Sequence, residues 1–314
     1  MARFAAVRAG SAALTLLVMT AVTFVVLQVL PGNPALLILG MGADPSAVAR
    51  VNAALGLNQP LPVRYGLWLW GALHGNLGTS LQFGQPVTEL LLQRLPLTMA
   101  LAVLAASLAL LIALPLGLLA AVRRGGLIDV LSVALAQIAA AIPAFWLGII
   151  VLLAFVVRRH WFPAGSFPGW SHPLAAVAAL VLPAVALGAG RAAVLTRLLR
   201  QSVSEAMRQD FVRTARSKGV SPRRILWRHA LRAAAIAPLT VFGLQLGELL
   251  AGSIVIESVF SLPGLGRLVL YAISTRDLPT LEGCVLLIAT LVMLANFAVD
   301  LLYAVLDPRI RSAG

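Results

Sequence analysis

Residues 205–232 have the sequence EAMRQDFVRTARSKGVSPRRILWRHALR, and they form the one long polar segment between two apolar runs. Ten basic residues lie between Arg197 and Arg232, opposed only by Glu205 and Asp210, so the local net charge is ten minus two, or +8. The ten are Arg197, Arg200, Arg208, Arg213, Arg216, Lys218, Arg223, Arg224, Arg228 and Arg232. Because the flanking runs are apolar, the segment predicts a membrane protein with one concentrated polar surface.

The composition supports the same class. Hydrophobic residues make up 60% of the 314 residues and charged residues 11%, with a mean hydropathy of +0.95. Soluble domains carry about 25% charged residues. The net charge of +13 does not indicate a nucleic-acid partner, because the charges lie at the ends of apolar runs, where cytoplasmic loops of membrane proteins carry them.

Apolar runs predict six transmembrane helices in a single all-α polytopic membrane domain over residues 1–314. Each run is near the length that a hydrocarbon core of about 30 Å requires, and runs this long are helices rather than barrel strands. The first run is about 20 residues long and no small-residue cleavage site follows it, so we expect an uncleaved helix. The six predicted spans are about 9–30, 97–122, 129–157, 174–199, 233–257 and 283–306.

The distribution of basic residues predicts the orientation. With the N-terminus inside, 16 basic residues are cytoplasmic and seven lie outside, although Arg158 and Arg159 run against this bias. Both termini are therefore expected in the cytoplasm. The segment 31–96 becomes extracytoplasmic, with an interfacial aromatic cluster at Tyr65, Trp68 and Trp70.

The polar stretch itself predicts two short helices. Lys218-Gly219 suits the end of the first helix, and Ser221-Pro222 suits the start of the second. Phe211, Val212 and Ala215 form a small apolar face on the first helix. A basic amphipathic surface of this kind fits either anionic lipid or an acidic cleft on a partner protein, and these residues alone leave both open.

The chain lacks the residues of a catalytic site. Its four histidines are scattered, it has no G-x-S-x-G motif, and its one lysine, Lys218, precedes a glycine rather than following one, which excludes a P-loop. The single cysteine, Cys284, excludes a disulfide within the chain. We therefore expect no enzyme activity, no cofactor and no metal site, and an ATP-driven transport step needs a separate motor subunit.

Ionisable residues within the spans are candidates for a translocation pathway, because such residues usually face a cavity or a partner. Glu248, Glu257 and Asp300 are the acidic candidates, and Arg191 has no evident role. Glu248 is the strongest candidate, although a satisfied interhelical hydrogen bond explains it equally well.

Several motifs resemble one known family over almost the whole chain. Leu30-Pro31-Gly32-Asn33-Pro34-Ala35 resembles its N-terminal turn, with Asn33 in place of the usual Asp, and residues 55–61 and 74–80 resemble its outer segment. The family's cytoplasmic coupling loop is similar to Asp210–Gly219 followed by Arg228–Arg232. Residues 263–267, Arg276-Asp277 and 306–311 also fit. The family is that of the inner-membrane permease subunits of bacterial ATP-binding-cassette importers for di- and oligopeptides, glutathione and nickel.

The resemblance implies the fold of a type I importer in the bacterial inner membrane and a set of partners. These are membrane lipid, a second homologous permease subunit, two ATP-binding subunits and an extracytoplasmic substrate-binding protein. It also implies that residues 200–232 form a cytoplasmic coupling loop inserting into an ATPase cleft. The coupling residues would be Asp210, Phe211, Arg213, Thr214, Ala215, Arg216, Lys218, Gly219, Arg224 and Arg228.

Within the family, the motifs leave more than one substrate class open. The segment Gly243-Leu244-Gln245 and residues 250–254 resemble the peptide and glutathione members, whereas the setting of Glu248 resembles the nickel members. Di- and oligopeptides are therefore favoured, with nickel, a metal–chelator complex or glutathione as alternatives. An ion-coupled secondary carrier that uses Glu248 and Asp300 is a further alternative.

Overall fold

A computed structural model describes residues 2–29, 34–40, 42–54, 56–162 and 167–306. These residues form helices and connecting loops, with one isolated bridge between Thr79 and Pro86 and no β-strand among them. The predicted turn at 31–33 and the segment 307–314 lie outside the described residues. So does the side chain of Asp300.

The N-terminal part of the chain, up to residue 86, contains four helices in the described residues. They are α1 (Ala2–Val29), α2 (Pro34–Leu39), α3 (Pro45–Ala54) and α4 (Leu61–Leu73). The next four elements are α5 (Val87–Val122), α6 (Leu127–Ala141), α7 (Ala144–Val151), which continues as a π-helical stretch over Leu152–Arg158, and α8 (Pro173–Ala206).

The polar stretch and the last third of the chain contain six further helices. They are α9 (Asp210–Ser217), α10 (Pro222–Arg224), which continues as a π-helical stretch over Ile225–Ala230, α11 (Leu231–Ala234), α12 (Ile236–Val259), α13 (Leu265–Thr275) and α14 (Leu278–Leu306).

Five of these helices are long and apolar enough to cross a membrane. They are Arg8–Gln28 within α1, then α5, α8, α12, and Leu278–Val299 within α14. A sixth span results if α6 and α7 with its π-helical stretch are taken together, but this pair is bent by 100°. The prediction of six membrane helices in an all-α fold is thus confirmed, with the third span broken rather than continuous.

The break in the third span follows from Pro143. A proline disfavours the helical region for the residue before it. Ile142 accordingly adopts extended torsion angles (φ −82°, ψ 122°), and α7 begins immediately after the proline. The predicted span 129–157 contains this proline, and the structure divides the span there.

Among the membrane helices, α5 and α8 exceed their predicted lengths the most. α5 begins at Val87 rather than at residue 97, and its 36 residues span about 54 Å. Leu90 and Leu91 in its first turns are buried against α13 and α14, which explains the early start. α8 has 34 residues and spans about 51 Å, so it extends from one end of the bundle into the polar stretch at the other.

The centre of the bundle is the contact between α5 and α8, and small residues allow the two helices to approach closely. A Cβ atom on Gly188 would lie 2.7 Å from the backbone oxygen of Ala105, and one on Gly117 would lie 3.0 Å from Leu199. Close backbone approach at small residues is a common way for membrane helices to associate.

A buried carboxylate joins three of the helices. Glu257, near the end of α12, is fully buried and accepts a hydrogen bond from the Thr98 hydroxyl of α5 at 2.7 Å. It also accepts the backbone N–H of Arg267 in the first turn of α13 at 3.1 Å, while Thr98 Oγ1 accepts the N–H of Leu265 at 2.9 Å. A negative charge at a helix N-terminus interacts favourably with the helix dipole.

The turn before α13 closes around this carboxylate. A Cβ atom on Gly264 would lie 2.4 Å from the carboxyl carbon of Glu257, and one on Gly266 would lie 2.3 Å from Ile254 Cα. The glycines of the Pro263-Gly264-Leu265-Gly266 segment are therefore required by packing.

A second buried carboxylate, Asp277, fastens the turn between α13 and α14. It accepts hydrogen bonds from the Ser80 hydroxyl, from the Leu81 N–H at 3.1 Å and from the Thr280 hydroxyl at 2.8 Å. The loop before α5 is thereby tied to the start of α14.

At the other end of the bundle, an ion pair fixes α6 to α8. Both oxygens of Asp129 accept hydrogen bonds from the Arg200 guanidinium, and Oδ2 also accepts the Gly125 N–H at 2.9 Å. The Asp129 side chain is only 5% exposed, and that of Arg200 is 27% exposed. The pair positions the loop after α5 beside the last turns of α8, next to the polar stretch.

Replacing Gly266 with alanine is expected to lower the free energy of unfolding by about 1–3 kcal/mol, because the new methyl group would meet backbone atoms that cannot rotate away. Thermal unfolding of the purified protein in detergent measures this. Gly66→Ala in α4 is the matched control: nothing lies within 4 Å of its Cβ position, so that variant should be at least as stable as wild type. A Gly266→Ala variant with wild-type stability would contradict the packing around Glu257.

A double-mutant cycle with Asp129→Asn and Arg200→Gln is expected to give a coupling energy of roughly 0.5–3 kcal/mol, since the two groups share hydrogen bonds in a partly buried setting. The matched control is Asp210–Arg213, which lies 3.7 Å apart with both side chains more than 80% exposed. Its cycle should give a coupling near zero. Equal coupling energies for the two pairs, from unfolding in mixed micelles, would show that the Asp129 pair does not anchor the fold.

Candidate functional site

The polar stretch folds into a helical hairpin. α9 ends at Ser217, and Gly219 follows with φ of +73°, which confirms the predicted left-handed glycine. The N–H groups of Gly219 and Val220 donate to the carbonyls of Arg216 and Ala215 at 2.9 and 3.1 Å. Pro222 then opens the second arm, and although Ser221 occupies the N-cap position, its side chain makes no capping hydrogen bond.

Apolar residues seat this hairpin on the end of the bundle. Val212, Ile225 and Ala230 are almost completely buried, and Ala230 packs in a cluster with Leu118 of α5 and Val203 of α8. The predicted apolar face of α9 is only partly correct. Val212 is buried and Ala215 half-buried, but Phe211 stays 37% exposed.

Most of the basic residues between Arg197 and Arg232 lie on the outside of the hairpin. Two of the ten basic residues are used within the bundle, Arg200 with Asp129 and Arg197 with Gln137 at 2.8 Å. The other eight are exposed and are called the basic surface: Arg208, Arg213, Arg216, Lys218, Arg223, Arg224, Arg228 and Arg232. With the exposed Glu205 and Asp210, the net charge is eight minus two, or +6.

The structure places all ten predicted coupling residues on this hairpin. Nine are exposed and Ala215 is half-buried. The hairpin also exposes two aromatic side chains, Phe211 at 37% and Trp227 at 56%. Trp227 was not among the predicted coupling residues, although the sequence shows this tryptophan within a run of arginines.

The predicted pathway residues lie in different settings. Glu248 of α12 forms an ion pair with Arg191 of α8, which supplies the partner that the sequence left unidentified for Arg191. Glu257 is the buried carboxylate described above, and its hydrogen bonds give it a structural role. Asp300 lies on α14. A pathway role for these three acids stays a prediction.

Two of the three predicted aromatic residues, Tyr65 and Trp68, pack on the first membrane helix. The Tyr65 and Trp68 rings of α4 lie 5.5 and 6.2 Å from the ring of Phe24 in α1, and the Tyr65 hydroxyl is 2.9 Å from Thr20 Oγ1. Trp70 is instead 67% exposed. The cluster therefore attaches α4 to α1.

A cavity of about 220 Å³ lies beside this attachment. Arg64 and the buried Glu282 border it, and Arg64 donates to Gln28 Oε1 at 2.8 Å. Burial lowers the pKa of the Arg64 guanidinium, and the Glu282 charge opposes that shift. Sequence analysis did not single out either residue. Among the described residues, no group of three or more His, Cys, Asp or Glu side chains could hold a metal ion.

Comparisons with known proteins agree along the whole chain. A family model described as the binding-protein-dependent transport system inner membrane component matches residues 113–312, and a model for the N-terminal part of such membrane components matches residues 1–102. A putative peptide transport system permease protein of Brucella abortus is 42% identical over 305 residues, covering 97% of each chain. The dipeptide transport system permease protein of Escherichia coli K12 is 38% identical over 336 residues, covering 99% of each.

Solved structures show the same fold at lower sequence identity. Two inward-facing structures of the MetNI methionine ABC transporter match with TM-scores of 0.54 and 0.57 at 20% and 21% identity, covering 69% of this chain and 96% of theirs. The resemblance drawn from the motifs is thereby confirmed. The chain belongs to the binding-protein-dependent transport system inner membrane components, a family of multi-pass permease subunits of ABC importers that work with ATPase and binding-protein partners and are transport components rather than enzymes.

Proposed function

We propose that this chain forms half of the translocation pathway of an ATP-driven importer for di- and oligopeptides. The basic surface at the end of α8 supports the coupling to ATP hydrolysis. A chain without a P-loop needs a docking site for a separate ATP-binding subunit. The substrate class rests on relatives 38–42% identical over nearly the full length, whose names specify peptides or dipeptides. The setting of Glu248, which resembles the nickel members, is outweighed by the peptide names of these full-length relatives.

The proposed assembly contains this chain, a second homologous permease, two ATP-binding subunits and an extracytoplasmic binding protein. Both termini and residues 200–232 face the cytoplasm, and the segment 31–96 faces outward. The excess of basic residues on the hairpin side supports this orientation. In this orientation, residues 87–96, which belong to α5, lie at the outer end of the bundle.

The composition of the hairpin favours a protein partner over lipid. Arginine and tryptophan are the residue types that dominate binding energy in protein interfaces. Phe211 lies in the first turn of α9, and Arg216 and Lys218 follow at its end, so an acidic cleft with an apolar floor would complement it. Lipid contact alone would not require an exposed two-helix turn.

The packing explains how docking transmits movement. Ala230 and Ala234 of the second arm pack with residues near the ends of α5 and α8, and α12 begins two residues after Ala234. A displacement of the hairpin by ATPase closure therefore moves α8 and α12 together. Because α8 is one helix of about 51 Å, the displacement reaches the middle of the membrane without a flexible link.

The double reversal Arg216→Glu/Arg224→Glu is expected to uncouple the importer. Each change replaces attraction to an acidic cleft with repulsion, and like charges brought together at an interface cost several kcal/mol. In proteoliposomes with all subunits, ATP-dependent peptide uptake should fall at least tenfold while the variant still inserts into the membrane. The matched control is Arg158→Glu/Arg159→Glu, an exposed pair at the end of the π-helical stretch after α7, which should keep uptake near the wild-type rate. Wild-type uptake by the hairpin variant would count against docking at the basic surface.

The substrate class is tested with the wild-type importer and its own binding protein. Labelled dipeptide is expected to accumulate in an ATP-dependent manner, and excess unlabelled di- or tripeptide should suppress this uptake. Nickel accumulation that peptides do not suppress would replace the peptide assignment. Dipeptide uptake by this chain alone, driven by an ion gradient, would instead show a secondary carrier.

A further inference from the structure

The Arg191–Glu248 ion pair lies deep within the membrane spans. Arg191 is 15 residues before Ala206 at the end of α8, and Glu248 is 12 residues after Ile236 at the start of α12. At 1.5 Å per residue, both lie about 20 Å from the hairpin end of the bundle. A charged pair at this depth is far from either membrane surface.

The pair is nevertheless open on one side. The Arg191 side chain is 31% exposed and that of Glu248 56%, whereas Asp129 in the pair that fastens α6 to α8 is 5% exposed. Glu248 lies on a single exposed stripe of α12 with Leu244, Ala251, Val255 and Ser258. Because charges facing lipid are costly, this stripe is expected to face a hydrated route or a partner subunit rather than lipid.

Further polar groups continue from the pair toward the hairpin. Gln245, one turn before Glu248, is buried, and its Oε1 has no hydrogen-bond partner among the described residues. Arg197 lies six residues beyond Arg191 on α8 and donates to Gln137 of α6, while its Nε finds no partner in the described part of the chain. A buried polar atom without a partner is costly, so these groups indicate space for water or a polar ligand.

We infer that Arg191 and Glu248 form a binding site for the two charged ends of a peptide in transit, an inference that rests on the proposed peptide substrate. The Arg191 guanidinium donates two parallel hydrogen bonds to the peptide carboxylate, and the Glu248 carboxylate accepts hydrogen bonds from the peptide ammonium. Without substrate, the two residues neutralise each other. With substrate, one ion pair is exchanged for two, and the net charge of the site stays at zero.

This exchange makes the site selective for zwitterions. A solute without a carboxylate would leave Arg191 unpaired, and one without an ammonium would leave Glu248 unpaired. An unpaired charge at this depth in a membrane span is unfavourable. Both end groups are therefore needed to open the pair.

The test uses the complete importer with the replacement Arg191→Met/Glu248→Met. Replacing both charges with apolar side chains leaves no unpaired charge within the spans. We expect the variant to assemble, to keep ATPase stimulation by the loaded binding protein, and to lose at least tenfold in the maximal rate of dipeptide uptake. Glu89→Met/Arg158→Met changes the same residue types at exposed positions outside the pair and should transport normally.

A second measurement separates substrate contact from packing. Direct binding of labelled dipeptide to the detergent-solubilised importer without its binding protein should be at least tenfold weaker for N-acetylated or C-amidated dipeptide, and absent in the double methionine variant. Wild-type uptake by that variant, its failure to assemble, or equal binding of blocked and free peptides would overturn the inference. Failure of the wild-type importer to transport any peptide would instead overturn the proposed substrate.

Discussion

A charge inside the hydrocarbon layer must find a partner within the protein, and this constraint organises the structure. Lipid offers no hydrogen bonds, so an ionised side chain in a span pairs, caps a helix or lines water. Glu257 binds backbone N–H groups of α13 and the Thr98 hydroxyl, and Asp129 binds Arg200. Eight basic residues of the polar stretch lie on the exposed basic surface instead, where water is available.

The carboxylates that accept hydrogen bonds from within the chain stabilise both ends of the bundle. Glu257 and Asp277 hold the turns around α13, at the end opposite the hairpin. Asp129 holds the loop beside the hairpin. Between them, α5 and α8 pack through small residues with little tolerance for added atoms. The ends are thus firmly connected by rigid helices, which is what coupling over the membrane thickness requires.

The ion pair between Arg191 and Glu248 differs from these in its exposure. An ion pair contributes little to stability when it is exposed, because solvent screens the attraction between its charges. Its open side lies level with the middle of α8, the helix whose far end carries the hairpin. The proposed docking site and the proposed substrate site therefore lie on one continuous helix.

The sequence by itself determined the class of the protein, five of its spans in outline, the hairpin turn at Gly219 and the family. These features depend on local composition, on apolar length and on motifs that lie close together in the chain. Sequence analysis also placed Glu248 among the candidates, since a charge within an apolar run is visible without a structure. The family resemblance supplied the ten coupling residues. Sequence analysis also named Glu257 as a pathway candidate, because burial and hydrogen-bond partners are not local properties.

Only the tertiary structure decided which charges are paired. Arg191 and Glu248 are 57 positions apart, and Arg200 and Asp129 are 71 apart, so their contacts depend on how α8 packs against α12 and α6. The same packing left Phe211 exposed, buried Val212 beside it and started α5 ten residues early. Contacts between distant helices are set by the shapes of whole faces, and a linear pattern of residues does not contain that information.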